Sequence, residues 1–260
     1  MLISESSLEF LAPGWIKIPS FLQKRGWKDW TSSTDTPLAV GWNQPGGATV
    51  FELLAISPFN NAFNAYMSTF NEGHADWLDL YPVKERLAGA KTEEDAVMFV
   101  DVGGGLGHQA SAFKKRFPDL PGRYIVQDLA HALPSTRPEG IEYMEHDFTT
   151  EQPIKGARFY YLRYVPHDWS QEFNIHLCTQ ICKAMTPGYS RLIVNEWIVP
   201  EVGASMFMTA MDFNMLNANG GMERTEALHR EYLEKAGLQV TGVYRPDDDV
   251  SEGVIEAEVA

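Results

Sequence analysis

Five residues able to do chemistry recur at one kind of place in this chain. Asp101, Asp128, Asp147, His167 and Glu196 each stand at or just after a short run of β-branched and aromatic residues. Such runs read as buried strands. In an open α/β sheet, ligands bind beyond the carboxyl ends of the strands. A carboxylate there can accept the two hydroxyl hydrogens of a ribose or the hydrogens of an amino group. A histidine there titrates near neutrality and can exchange a proton. A helix-cap or surface role accounts poorly for five polar residues at five strand ends.

The element that positions the first of them is Phe99-Val100-Asp101-Val102-Gly103-Gly104-Gly105-Leu106-Gly107. Val97 to Val102 reads as a strand, the glycines as a turn, and Gln109 to Phe117 as a helix stopped by Pro118. Strand, glycine turn and helix open a βαβ unit whose backbone a ligand can approach closely. Two ligand classes use such a turn. Dinucleotide spacing fails when counted from Gly103, because its third position falls on His108; counted from Gly105 it fits Gly107 and Ala110 but leaves the strand end. The pattern Asp-x-Gly-x-Gly-x-Gly is met by Asp101, Gly103, Gly105 and Gly107 and resembles motif I of S-adenosylmethionine-dependent methyltransferases. The bland alternative is a glycine-rich turn of any α/β protein.

Further strands are expected at Arg123 to Val126, Ile141 to Met144, Arg158 to Tyr164 and Arg191 to Val194. Helices are expected at Leu129 to Leu133, Gln171 to Met185, Ser205 to Leu216 and Glu226 to Ala236, with a closing pair at Gln239 to Tyr244 and Gly253 to Val259. Asp128 lies about 20 residues past the glycine turn, where a carboxylate binds ribose; its competing role is the N-cap of Leu129 to Leu133. Asp147 is placed for an adenine amino group and Phe148 for the ring. Thr225 is placed to cap the helix that follows it.

The first 60 residues lack long periodicity and interleave Trp15, Trp27, Trp30 and Trp42 with prolines and glycines, around one short helix over Pro19 to Arg25. They are expected to lie across a neighbouring domain or a partner, the tryptophans as packing anchors. Phe51, Leu54 and Ala55 share a helical face, and Phe59, Phe63, Tyr66, Met67 and Phe70 form a stripe. That stripe reads first as core, and alternatively as the cap of a pocket for a flat apolar substrate. The methionines of Ser205 to Leu216 read the same two ways.

The 260 residues, 44% hydrophobic and 22% charged, suit one large domain with an appendage. A net charge of −14 argues against nucleic acid and anionic membranes. No run is long enough to span a bilayer, no signal peptide opens the chain, and no His/Cys/carboxylate cluster has metal-ligand spacing. Cys178 and Cys182 read as free thiols in a reducing, cytoplasmic setting.

Together these pieces resemble the plant and fungal small-molecule O-methyltransferases of the caffeic-acid and flavonoid type, with a fungal flavour. The matching segments are Asp101 to Gly107, Gln127-Asp128-Leu129, His146-Asp147-Phe148, Arg163-Tyr-Val-Pro-His167-Asp168-Trp169, Asn195-Glu196 and Gly220-Gly-Met-Glu223-Arg224-Thr225. The resemblance covers residues 50 to 260 and implies a Rossmann-like α/β fold. That fold is a mostly parallel seven-stranded sheet with an antiparallel C-terminal strand and helices on both faces. It implies S-adenosylmethionine as cofactor and no metal, with Asp101, Gly103, Gly105, Asp128, Leu129, Asp147, Phe148 and Arg163 at the cofactor. It makes His167 the general base, oriented by Glu196 and Glu223. A phenol of pKa about 10 needs such a base to become a nucleophile. Met215, Asn219 and Trp169 join Phe63 and Met67 as expected substrate contacts. The expected partner is a small hydroxylated molecule. The family begins with a helical dimerisation domain and is homodimeric; residues 1–48 resemble only the last part of that domain, leaving 49–260 as the catalytic domain. Two other functions on this fold are a pericyclase and a non-catalytic cofactor binder.

Overall fold

Near-continuous apolar runs build a sheet buried on both faces. The structure, a computed structural model, describes residues 5–28, 32–44, 47–59, 74–248 and 250–260. Its strands are β1 (Val97–Val102), β2 (Arg123–Asp128), β3 (Glu142–Glu145), β4 (Phe159–Arg163), β5 (Arg191–Glu196), a two-residue β6 (Ile198–Val199), a two-residue β7 (Arg224–Thr225), β8 (Leu238–Tyr244) and β9 (Gly253–Val259). Seven form one sheet in the order β3-β2-β1-β4-β5-β9-β8, in which β9 alone runs antiparallel to its neighbours. The order reverses between β1 and β4, the place where an open sheet receives ligands.

The helices are α1 (Glu5–Trp15), α2 (Ile18–Lys24), α3 (Pro37–Gly41), α4 (Val50–Ile56), α5 (Trp77–Leu80), α6 (Val83–Arg86), α7 (His108–Arg116), α8 (Gln171–Ala184), α9 (Met206–Ala218) and α10 (Glu226–Lys235). Val100, Val102, Leu162, Leu192 and Val194 pack under α8 and α10 through Leu177, Cys178, Ile181, Tyr232 and Leu233. The opposite face carries Phe99, Phe159, Tyr161 and Ile193 against Phe113 of α7 and Trp77 of α5. Trp77 stacks on Phe113 at 6.1 Å and lies tilted against Tyr161 at 4.7 Å. Each such fully buried side chain contributes about 1.5–3 kcal/mol. Among the described residues no helix is long and apolar enough to cross a membrane.

Several expectations change in the folded chain. Leu129 to Leu133 is a turn closed by the Ala132 N–H to the Leu129 carbonyl, because Asp128 spends one oxygen on Leu129 N–H and Pro134 prevents propagation. On α4 the buried face is Val50, Leu53 and Leu54, while Phe51 and Ala55 are exposed. Tyr164 leaves β4 in a left-handed conformation at φ 52°. The segment before residue 49 packs on α9: the Trp15 indole donates to Asn214 at 3.1 Å, and Phe10, Leu38 and Leu54 share a cluster with Ala218. Trp42 anchors as expected, donating to the Phe10 carbonyl at 3.0 Å, whereas Trp27 is 68% exposed. Phe63, Tyr66, Met67 and Phe70, four of the five residues of the expected stripe, lie outside the described residues, as does Trp30.

Candidate active site

Asp101 is buried within β1, and the turn folds back over it. A Cβ on Gly104 would stand 2.5–2.8 Å from the Asp101 carboxylate, so only glycine fits there. Gly103 and Gly104 N–H groups both donate to the Gln127 carbonyl, which ties the turn to β2. Burial pushes the Asp101 carboxyl up to about 7, against hydrogen bonding from Ala110 N–H and the Arg163 charge. Its Oδ2 is buried without a partner among the described residues. A buried acceptor of this kind calls for a donor, and a cationic amino group satisfies it.

Asp128 closes β2 and reaches back to the turn. Its Oδ2 accepts Gly105 N–H at 2.8 Å and its Oδ1 accepts Leu129 N–H at 2.7 Å. Burial raises its carboxyl above the ordinary value despite both bonds. The Leu129 side chain beside it is 44% exposed. Asp147, two residues past β3, accepts Thr149 N–H and Oγ1 at 2.9 and 2.7 Å, which hold its carboxyl below the ordinary value. Phe148 stands edge-on to Trp169 at 6.0 Å and to Phe173 at 6.1 Å. Trp169 stacks on Phe173 at 4.2 Å, so most of its ring belongs to this aromatic group rather than to a substrate face.

The fourth strand delivers the histidine. After Tyr164 a single 3₁₀ turn, Pro166–Asp168, places His167 buried between β5 and β7. Its Nδ1 is 2.9 Å from Glu223 Oε1, and its Nε2 is 3.5 Å from Asp168 Oδ1. Glu196, the last residue of β5, accepts the His167 backbone N–H at 2.8 Å. The expected pair of glutamates on the ring therefore divides: Glu223 takes the ring and Glu196 the main chain. Burial pulls the imidazole down, yet the charges of Glu223, Asp168 and Glu196 outweigh it and raise it to about 10. The same burial lifts Asp168 to about 6 and Glu196 to about 7.

Other side chains lock this turn. Buried Arg224 donates to the carbonyls of Pro166 and Trp169 at 2.8 and 2.6 Å and to Gln171. Asp212 of α9 accepts Glu223 N–H at 2.9 Å. A Cβ on Gly221 would collide with the His167 carbonyl, which explains the glycine pair of that loop. Asn219 donates to Asp168 and its backbone N–H bonds Met215. Asn219 is thus buried as a support of Asp168, and Met215 lies next to it, half-buried. A small apolar crevice beside Asp168 is lined by Ser33, Thr49, Val50, Phe51, Trp169 and Asn219.

Arg163, expected at the cofactor, donates to Glu252 Oε1 at 3.1 Å and lies 4.5 Å from the Tyr164 ring centre. Sequence reasoning missed Tyr164, Asp212 and Glu252. Asp212 and Glu252 sit 45 and 85 residues from His167 in the chain, with no spacing that points to it. Asp168 carried a signal, since it adjoins the histidine in the Trp-containing motif. Among the described residues no group of three or more His, Cys, Asp or Glu side chains could hold a metal ion.

Comparisons with known proteins bear on the family and the fold. A family model for the O-methyltransferase domain matches residues 29–239. Methyltransferase cfoC of Aspergillus candidus is 39% identical over 251 residues, 94% of this chain and 61% of that protein. Demethylsterigmatocystin 6-O-methyltransferase of Aspergillus parasiticus is 38% identical over 86% of this chain and 57% of its own length. The chain thus spans about three fifths of the length of these relatives. The structure of LepI in complex with SAM superposes at TM-score 0.85 with 31% identity, over 98% of this chain and 65% of that one. A structure described as a pericyclic reaction enzyme gives TM-score 0.85 and 31% identity, over 98% and 66%.

Proposed function

The chain belongs to the O-methyltransferase domain family, and on that premise we propose that it moves a methyl group from S-adenosylmethionine to a hydroxyl of an aromatic or enolic small molecule. The observation that carries this reading is His167 Nδ1 held at 2.9 Å by the buried carboxylate of Glu223. An ionised carboxylate only accepts, so Nδ1 carries the hydrogen and Nε2 is left to take a proton. The ring is set up as a base whose protonated form is stabilised in advance. Methyl transfer from a sulfonium to a phenol needs such a group, whereas a pericyclic step does not.

Asp101 and Arg163 would hold the charged amino-acid end of the cofactor, Asp101 through its unpartnered oxygen. Asp128 would take the ribose, with Gly105 N–H fixing its carboxylate. Leu129, Phe148 and Asp147 would line the adenine, and Gly103 and Gly105 would face the ribose and methionine portions. When bound, the cofactor supplies an already electrophilic methyl group, so no metal is asked for. The chain's own part is orientation and proton transfer. His167 accepts the hydroxyl proton at Nε2, and the imidazolium so formed faces Glu223, Asp168 and Glu196. A phenol of pKa about 10 meets an imidazole raised to about 10, so the proton moves between near-equal partners. The crevice of Val50 and Phe51 beside Asp168 supports an apolar group next to the base. Residues 49–260 form the catalytic unit in this reading, and Ser33 of the preceding segment lines the crevice. The free thiols fit a cytoplasmic setting.

The likeness to a pericyclic reaction enzyme supports a second reading, a cyclisation steered by the bound cofactor. Incubation with methyl-labelled S-adenosylmethionine and a panel of phenols and enols separates them. Label transfer is expected. Substrate turnover without label transfer would establish the second reading instead. His167→Gln should lower label transfer by roughly 10²–10⁴-fold, the share of general acid–base catalysis, with cofactor affinity unchanged by calorimetry. A folded variant that methylates at the parental rate removes His167 from the mechanism.

A further inference from the structure

We infer that Tyr164 is a positioning residue for His167, its ring face backing the imidazole and favouring the protonated ring. This rests on His167 being the base. Tyr164 holds φ at 52°, a conformation that an aromatic residue adopts only under constraint. Its ring lies 5.3 Å from the His167 ring at 17° between planes, a stacked arrangement. It also meets the Trp197 indole at 5.1 Å and the Arg163 guanidinium at 4.5 Å. Those neighbours are themselves fixed. Trp197 is buried, donates to the Val250 carbonyl at 3.0 Å and takes Phe207 edge-on at 5.6 Å. Arg163 is tied to Glu252 at 3.1 Å.

Strained backbone persists where the surroundings over-determine it, and it gathers at functional sites. Here the strain turns the Tyr164 side chain out of the strand and lays it flat against the imidazole. The aromatic face is electron-rich and attracts a cation above it. The proton His167 gains is therefore stabilised through the ring face as well as at its edge. The charged groups around the histidine are Glu223 on the β7 side, Asp168 beside it, Glu196 at the end of β5, and Arg163, whose charge Glu252 balances. Glu223 and Asp168 act along the ring plane and fix its rotation. Tyr164 acts on its face and fixes its tilt.

The test is the titration of His167 followed by NMR of its ring signals, assigned by their loss in His167→Gln. In Tyr164→Phe the face is kept, and both the midpoint and the rate of label transfer should match the parent. In Tyr164→Leu the midpoint should fall by about half a unit to one and a half units, the range a desolvated cation–π contact supports. Label transfer should fall with it, at unchanged cofactor affinity. Tyr164→Gly should show the same lowered midpoint in a chain whose left-handed backbone costs nothing. A folded Leu or Gly variant with the parental midpoint overturns the inference. So does Tyr164→Phe behaving like Tyr164→Leu, because the hydroxyl would then carry the effect. If the parent transfers no label but the midpoints still separate, the positioning role stands and the methyl-transfer reading fails.

Discussion

Replacing Glu223 by glutamine isolates the charge that the mechanism leans on. The Glu223 backbone stays anchored because its N–H donates to Asp212 at 2.9 Å, which the side-chain change leaves intact. The amide oxygen can still accept from His167 Nδ1, so geometry is kept and charge is lost. The side chains of His167 and Glu223 are 9% and 0% exposed, so water replaces little of the lost interaction. A charge-assisted hydrogen bond is worth about 1.5–3 kcal/mol, against 1.36 kcal/mol per tenfold change. On the plateau, above the midpoint, the imidazolium is present in the transition state and absent before it. Its destabilisation therefore lowers the rate plateau by roughly 10- to 150-fold and the His167 midpoint by about one to two units. Because the parental midpoint is raised to about 10, the parental rate should climb through the alkaline range. The Glu223→Gln rate should level off earlier and lower. The assay is label transfer from S-adenosylmethionine across pH 6 to about 11, the span set by free and raised imidazole values, with cofactor affinity measured in parallel. A variant with the parental plateau and midpoint would refute the claim that Glu223 stabilises the imidazolium.

Three further outcomes follow from the same contacts. Asp128→Ala removes the acceptor of Gly105 and Leu129 N–H and should weaken S-adenosylhomocysteine binding in calorimetry by about 1.5–3 kcal/mol, the worth of charged hydrogen bonds; unchanged affinity would reduce Asp128 to a brace of the turn. Asp101 has its carboxyl raised to about 7 by burial. Its contribution to stability is full below the free value and is lost as pH rises through about 7, so Asp101→Asn should flatten the fall in ligand-free thermal stability over that window. Glu256, buried in β9, accepts from Arg86 at 2.6 Å, Arg191 at 3.0 Å, Thr241 at 2.7 Å and Tyr81. Burial raises its carboxyl, but those bonds outweigh it and hold it below its ordinary value. Glu256→Gln should cost on the order of 3 kcal/mol in urea unfolding, since Arg86 loses its carboxylate partner and Arg191 keeps only Glu258. The contribution is present above the free carboxylate value and lost as pH falls through the lowered one.

Much of this architecture was legible along the chain because it is made by local chemistry. β1 could be read residue for residue: a short, continuous run of β-branched and apolar residues reads as a strand buried on both faces, and the glycines that end it make a turn. Helix α10 was bounded by Thr225 at its start, and that cap acts within one turn of backbone. Where the local signal was weak the reading slipped. Leu129 to Leu133 had an N-cap candidate, but Asp128 was already engaged by the glycine turn 23 residues earlier in the chain. On α4 the apolar residues Phe51, Leu53 and Leu54 allowed two faces, and contact with Ala218 of α9 chose between them.

The sequence by itself determined the types and order of the chemical groups: an aspartate under a glycine turn, a carboxylate at the end of β2, one histidine beside an aspartate, and glutamates at positions 196 and 223. These depend on residue identity and on spacings of a few residues, which fix helix faces and strand ends. Only the tertiary structure decided which group meets which. It assigned Glu223 to the imidazole and Glu196 to the main chain, set Asn219 behind Asp168, and brought Tyr164 against the histidine with Trp197 against Tyr164. The reason is distance. Glu223 lies 56 residues from His167 along the chain and 2.9 Å away in space, and a gap of that length closes only when the sheet, α9 and the β6–β7 pair are packed together.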